Sequence, residues 1–298
     1  MKNKNLIIPP LEEFHTDFIK TASIIKVTSP ISQIRYVDMV STPDENGREA
    51  VSAKAFTKTI SLVTKQVSSS IPASQVKELN KNFGIDATLM ALNAMCNEKI
   101  MGMEKELYTK YTKIAGGADI LLTPRQKFFR KFFKKMKFPI YADSDRKVLS
   151  KILLFGNLIA TRHRRGPADF IVVGPRIAAM LQDMSMYVML PLSNNTNTRA
   201  INLHGSLAGI AVYTNLTLHW KDTSVLVGRS TKLSESGVYF LEMEDSAEET
   251  VTPDTNDIRI TIRSRQAISE TMGADTKYIY ANLELKTPPK WRKWLKLI

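Results

Sequence analysis

The chain has a single cysteine, Cys96, among its 298 residues. A disulfide framework and a cysteine-based zinc site are therefore excluded, and the expected folding compartment is a reducing cytoplasm. Histidine is scarce as well. His15, His163, His204 and His219 are scattered, with no HExxH pairing, so no metal site is expected. No GxGxxG or GxxxxGK[ST] loop is available to cradle a phosphate, and no GxSxG elbow to carry a nucleophile. No apolar run is long enough to span a bilayer. The apolar part of the first residues, Leu6-Ile7-Ile8, is short and soon followed by Glu12-Glu13, unlike a secretory signal. Carboxylates are plentiful, but no pair stands in an apolar frame that would raise a pKa. Together these absences favour a structural or binding protein, with no enzymatic activity and no cofactor.

Positive charge is what the chain has in excess. The formal charge is +13 and the pI about 9.7, which suits anionic surroundings such as nucleic acid, acidic lipid or acidic protein surfaces. A hydrophobic fraction of 43% is globular, and the length suffices for one elaborate domain or two.

The most regular stretch runs from Ile85 to Ile114. Ile85, Leu89, Leu92, Cys96, Ile100, Met103, Leu107, Tyr111 and Ile114 recur at steps of three or four residues, one stripe of an α-helix. Asn97, Lys99, Glu104, Lys105 and Lys110 are expected on the opposite, polar face, with Glu106 and Lys110 at the favourable i, i+4 spacing. Gly84 and Asp86 supply a break and a cap, and Gly116-Gly117 a stop. At roughly 45 Å such a helix is a spine along which other elements lie. An ordinary long core helix, or one member of a bundle, meets the same pattern. Cys96 reads as a small core residue on the stripe.

Around the spine the chain reads as follows. Residues 1–30, with Pro9, Pro10 and Pro30, form an extended arm. Residues 31–67 read as β, with Ile34-Arg35-Tyr36 and Ala50 to Phe56 flanking the turn cluster Thr42-Pro43-Asp44-Glu45-Asn46-Gly47. The apolar alternation of that hairpin is incomplete, so it needs support from elsewhere. It is either a plain surface hairpin or an arm resting on a neighbouring subunit. Ser70 to Asn82 is a short helix and Asp145 to Thr161 a longer one. A basic loop, Arg162 to Pro167, precedes an apolar strand at 169–174, and Pro175 opens another helix. From residue 186 the chain is mostly β. Val238–Met243, Asp257–Ile262 and Lys277–Leu285 are half-buried strands, and the acidic run Glu242 to Glu249 reads as a solvated loop.

Two segments combine basic and aromatic residues. In residues 124–138 the side chains of Phe128, Phe129, Phe132, Phe133 and Met136 share one helical face, while Lys127, Arg130, Lys131, Lys134 and Lys135 share the other. The tail, 288–298, repeats this with Trp291 and Trp294 among lysines. Such segments suit an anionic membrane, nucleic-acid phosphate, or simply a surface helix with its lysines solvated.

The order of elements, and two local matches, resemble the major capsid proteins of tailed double-stranded DNA phages, specifically the T-even-like branch. Phe83-Gly84-Ile85-Asp86-Ala87, followed by Asn97-Glu98-Lys99-Ile100-Met101, is similar to the opening of that branch's spine helix. Arg164-Arg165-Gly166-Pro167-Ala168-Asp169-Phe170-Ile171-Val172 is similar to the RRGxGNFIV segment leading into its axial domain, with Pro167-Ala168-Asp169 departing from the family's glycine and asparagine. The resemblance implies an α+β fold: an N-terminal arm (1–30), an extended β-hairpin loop (31–68), a peripheral domain (69–160 and 231–287), an axial domain (161–230) and a basic aromatic C-terminal tail (288–298). It implies a hairpin tip, Asp44, Glu45, Asn46, Gly47 and Arg48, resting on the next subunit. The implied partners are the chain itself, in hexamers and pentamers, then portal, scaffold and decoration proteins and packaged double-stranded DNA. The implied setting is the virion capsid, assembled in the host cytoplasm. Lys127, Arg130, Lys131, Lys134, Lys135, Arg162, Arg164 and Arg165 are the candidate DNA- or lipid-facing residues. Leu11-Glu12-Glu13 resembles the cleavage signal of the T-even-like prohead protease. Two other readings stay open: an encapsulin-like compartment shell with protein cargo, and a peripheral membrane protein using the two basic aromatic segments, although a membrane partner is not expected.

Overall fold

A computed structural model describes residues 4–5, 15–43, 49–116, 140–142, 145–163, 166–190, 200–230, 236–251 and 257–285. In chain order its strands are β1 (Lys4–Asn5), β2 (Ser23–Lys26), β3 (Ile31–Pro43), β4 (Glu49–Ser61), β5 (Val63–Pro72), β6 (Ile140–Ala142), β7 (Phe170–Val173), β8 (Tyr187–Met189), β9 (Ile201–Leu207), β10 (Ile210–Asn215), β11 (Ser224–Gly228), β12 (Val238–Val251), β13 (Asp257–Glu270) and β14 (Tyr278–Leu285). Its helices are α1 (Ala73–Phe83), α2 (Ala87–Ile114), α3 (Asp145–His163) and α4 (Pro175–Gln182). The expected α+β class holds.

The chain forms two compact units. The first comprises Met1–Lys110, Ser193–Ala200 and Thr231–Met272; the second comprises Tyr111–Leu192, Ile201–Ser230 and Gly273–Ile298. Strand β14 pairs antiparallel with β11 along Ser224↔Asn282 to Gly228↔Tyr278, which ties the chain after Gly273 to the second unit.

The first unit is built on a sheet in the order β1-β12-β13-β5, with β2 added parallel to β12. The acidic run is not a loop. It continues strand β12 to Val251, in antiparallel register with β13 past a shift between Met243 and Ser246. Strand β5, paired with β13 from Asp257↔Pro72 to Gln266↔Val63, takes up Ser70 to Pro72, so the following helix starts only at Ala73.

The spine is helix α2, 28 residues from Ala87 to Ile114. Asp86 caps it, its Oδ1 accepting from Thr88 N at 2.9 Å and Leu89 N at 3.1 Å. The predicted stripe is buried at Leu92, Cys96, Met103, Leu107 and Tyr111, and exposed at its start, at Ile85 and Leu89. Two residues assigned to the polar face are buried instead, Lys99 at 8% and Glu104 at 0% exposure. The spacing explains this: Lys99 follows Cys96 by three residues and Leu92 by seven, which places it within the stripe. Its charge is tolerated there because Glu242 lies close by. The pair Glu106 and Lys110 does not form along the helix. Glu106 pairs with Lys65 of β5 and Lys110 with Glu270 of β13.

The second unit carries a sheet in the order β6-β14-β11-β7-β10-β9-β8. Strand β7 is buried along its whole length, parallel to β10 and antiparallel to β11, as its unbroken Phe-Ile-Val-Val run requires. Helices α3 and α4 supply Val148, Ile152, Phe155, Ile159, Ile177 and Leu181 to one core with Ile171, Val173, Val212, Val225 and Ile279. An aromatic cluster lies beside it. Tyr111, in the last turn of α2, packs on Tyr278 at 4.6 Å and Phe170 at 5.7 Å between ring centroids. Gly228 faces this cluster, and a Cβ there would come within 2.4 Å of the Phe170 ring.

Candidate assembly surfaces

A hairpin needs something to lie on, and the chain's own long hairpin is packed at its root. Strands β3 and β4, 13 residues each, pair from Ile31↔Ser61 to Pro43↔Glu49 as a two-stranded sheet, to which no further described strand is added. At about 3.3 Å per residue such a strand reaches roughly 43 Å. At the root Ile34 is buried with Tyr239 and Leu241, and Tyr36 stacks on Phe56 at 5.5 Å. Tyr36 Oη also accepts a hydrogen bond from Met272 N at 3.1 Å. Farther out, Val37 is 56% exposed. The incomplete alternation read from the sequence thus marks a ribbon to whose edges no other strand pairs among the described residues, and a hairpin of this length is marginal by itself. The tip residues Asp44, Glu45, Asn46, Gly47 and Arg48 lie outside the described residues.

Beside the hairpin root is a cleft of about 430 Å³ lined by Lys58, Lys65, Glu106, Lys110 and Gln266, among others. Each lysine is already engaged. Lys58 Nζ donates to the Glu270 carbonyl at 3.1 Å, Lys65 pairs with Glu106 and Lys110 with Glu270. The Lys110 ammonium, bonded to Glu270, holds that carboxyl below its usual range. The cleft is an ion-paired seam between strands and spine. Among the described residues no cluster of histidine, cysteine and carboxylate is suited to a metal, and no helix is long and apolar enough to cross a membrane.

A second polar seam fixes the arm to the spine. His15 Nε2 lies 2.6 Å from Glu242, both buried. Thr16 Oγ1 donates to Glu104 Oε1 at 2.8 Å, and Ala200 N donates to Glu104 Oε2 at 2.8 Å. Burial lowers the pKa of Lys99 to about 8, with Glu242 opposing the shift. Sequence reasoning missed this seam because charge type was allowed to override spacing.

Of the candidate basic residues, Lys127, Arg130, Lys131, Lys134, Lys135, Arg164 and Arg165 lie outside the described residues, as do the tail 288–298 and Leu11-Glu12-Glu13. Arg162 is half-buried at the end of α3, its guanidinium close against Gly116. The segment after the basic loop carries Asp169 where the family pattern has an asparagine. Asp169 Oδ1 accepts from Ser230 N at 2.7 Å, which an asparagine oxygen does equally well. Gly166 has φ +118, and Arg229 crosses over it to donate to Pro167 O at 2.9 Å.

Exposed apolar side chains gather at two places. Phe83, Ile85, Leu89 and Met90 are exposed where α1 meets α2. Met186, Val188, Met189 and Leu190 are exposed at β8, the outer strand of the second unit's sheet.

The fold aligns with the capsid structure of the cyanophage P-SCSP1u at TM-score 0.57 and 10% identity, covering 91% of this chain and 89% of that one. It aligns with the structure from Microbacterium phage Oxtober96 at TM-score 0.55 and 9% identity, covering 95% and 96%. It aligns with a virus-like particle from Pyrococcus furiosus at TM-score 0.51 and 10% identity, covering 91% and 94%. Identities this low speak for the fold alone: the chain has the tailed-phage major-capsid fold. No curated protein matches it by sequence. The family model described as Major capsid protein Gp23 matches residues 20–288, and the chain belongs to that family. It is a self-associating structural protein of the virion shell.

Proposed function

We propose that this chain assembles as hexamers and pentamers into a closed icosahedral head around a double-stranded DNA genome. The observation that carries the reading is the β3–β4 hairpin, to whose edges no other strand pairs among the described residues, in a member of a capsid family. In this reading the tip at Asp44 to Arg48 rests on the next subunit, residues 69–160 and 231–287 act as the peripheral domain, and 161–230 act as the axial domain. Head-to-tail contacts of this kind close into rings. Individually weak contacts then hold the shell because each subunit makes many at once. Portal, scaffold and decoration proteins complete the head in the host cytoplasm. The chain itself performs no catalytic step.

Negative-stain electron microscopy beside a sedimentation run tests this. Closed shells or six-membered rings are expected, and a discrete monomer at every concentration, with and without a co-expressed scaffold, refutes the reading. The basic excess, with Lys127, Arg130, Lys131, Lys134, Lys135, Arg162, Arg164 and Arg165, faces the packaged DNA. Binding of DNA to the particles then weakens steeply as salt rises; salt-independent binding rules out phosphate contact.

A further inference from the structure

We propose that β8 and its flanks, Met186 to Leu190, form an adaptable contact with a second copy of this chain, a reading that rests on the assembly proposed above. Four large side chains here are exposed, Met186 at 55%, Val188 at 60%, Met189 at 68% and Leu190 at 41%. Val188 and Met189 point to opposite faces of the strand, and each is exposed. The strand is also an edge. It pairs with β9 through Tyr187↔Leu207, Val188↔Ser206 and Met189↔Gly205, and among the described residues no strand lies on its other side. Leu190 N donates inward to His204 O at 3.2 Å, so by alternation the backbone groups of Met189 point outward.

Edges of this kind are ordinarily blunted with lysine or proline, or covered. Residues Ser185 to Leu190 contain no charge at all, in a chain whose net charge is +13. Two copies of so basic a chain repel across most of their surfaces, and here they meet without opposing like charges. Four side chains fall well short of the about 800 Å² per partner of a stand-alone interface. That size suits one contact among several in a ring. The residue type adds a second argument. Met180, Met184, Met186 and Met189 fall within ten residues, although the whole chain has only 13 methionines. Met180 and Met184 pack on the core, and Met186 and Met189 stand outside it. Unbranched thioether side chains repack against differing surfaces. A subunit that serves in both hexamers and pentamers meets its neighbour at differing angles, so one sequence at this contact must fit more than one geometry.

Hydrogen-peroxide footprinting read by mass spectrometry tests this on the full chain. Met186 and Met189 are expected to oxidise at least tenfold more slowly in assembled particles than in dilute unassembled chain, with buried Met103 slow in both. Equal rates in particles and free chain overturn the proposal and leave shell formation standing. Met189→Asp is expected to keep the wild-type circular dichroism and melting temperature while losing particles. Wild-type particle yield from that variant also overturns the proposal. The double variant Met186→Ile, Met189→Ile keeps apolar surface but stiffens it, and is expected to give rings or irregular shells; uniform wild-type shells from it overturn the adaptable character of the contact. Wild-type chain that never assembles overturns the assembly reading and this one together, a result separable from the others because no particles exist.

Discussion

Glu104 and Ala200, 96 positions apart in sequence, are joined by a 2.8 Å hydrogen bond from the Ala200 backbone to a fully buried carboxylate. The other oxygen of Glu104 holds Thr16. One spine residue therefore fixes both the end of the arm and the chain at Ala200. Glu104→Ala leaves a buried N–H and a buried hydroxyl without their acceptor, and about 2–4 kcal/mol of stability should be lost. Glu104→Gln keeps one oxygen acceptor and should cost less. Urea unfolding of the three proteins checks the order.

Lys99 gives the first unit a characteristic alkaline response. Its folded-state pKa, about 8, lies below the ordinary lysine value of 10.5. Between those values the unfolded chain binds more protons than the folded one, so Lys99 contributes a rise in stability with increasing pH across that window. Lys99→Met removes the contribution. Denaturation midpoints at pH 8 and pH 10 should rise more in the wild type than in Lys99→Met; parallel behaviour refutes the assignment.

Glu270 works in the other direction. Its pKa is lowered chiefly by its bond to Lys110. The stabilisation is present above its unfolded pKa and is lost as pH falls through the folded value. The group is partly exposed, which keeps the effect small. Lys110→Met should flatten the loss of melting temperature below pH 4.5, and high salt should narrow the difference between the proteins.

Gly228 has no room for a side chain, with Phe170 and Tyr278 both inside contact distance of an added Cβ. Gly228→Ala should cost about 1–3 kcal/mol, the usual penalty for overpacking a core. Phe170→Leu made alongside it should recover part of that loss, measured by thermal melts of the single and double variants.

Cys96 is buried, and burial raises its pKa, which keeps the thiol protonated and unreactive. A thiol reagent should label the native chain slowly and the urea-unfolded chain at once. Rapid labelling of native protein places Cys96 outside the core.

Periodicity read element types well where one rule acted alone. The spine, the helix at Asp145, the buried strand at Phe170 and the proline-opened helix at Pro175 each stood in the sequence with bounds within a few residues. Reading failed where two rules competed. The acidic run at Glu242 to Glu249 was assigned by charge to a loop, but the ladder with β13 holds it as strand. Ile201 to Leu207, with His204 and Gly205 breaking its pattern, lay in a stretch read only as mostly β, and pairing with β10 gives the strand its bounds.

The sequence by itself determined the kind of chain this is, cysteine-poor and basic with a capped spine helix and a long hairpin, because local spacing and capping chemistry decide element type. Only the tertiary structure decided which charges lie inside. Lys99, Glu104 and Glu242 are polar by composition, yet each is buried beside a partner far away in sequence. It likewise made β8 an edge, since being last in a sheet is a property of strand order, which no single segment contains.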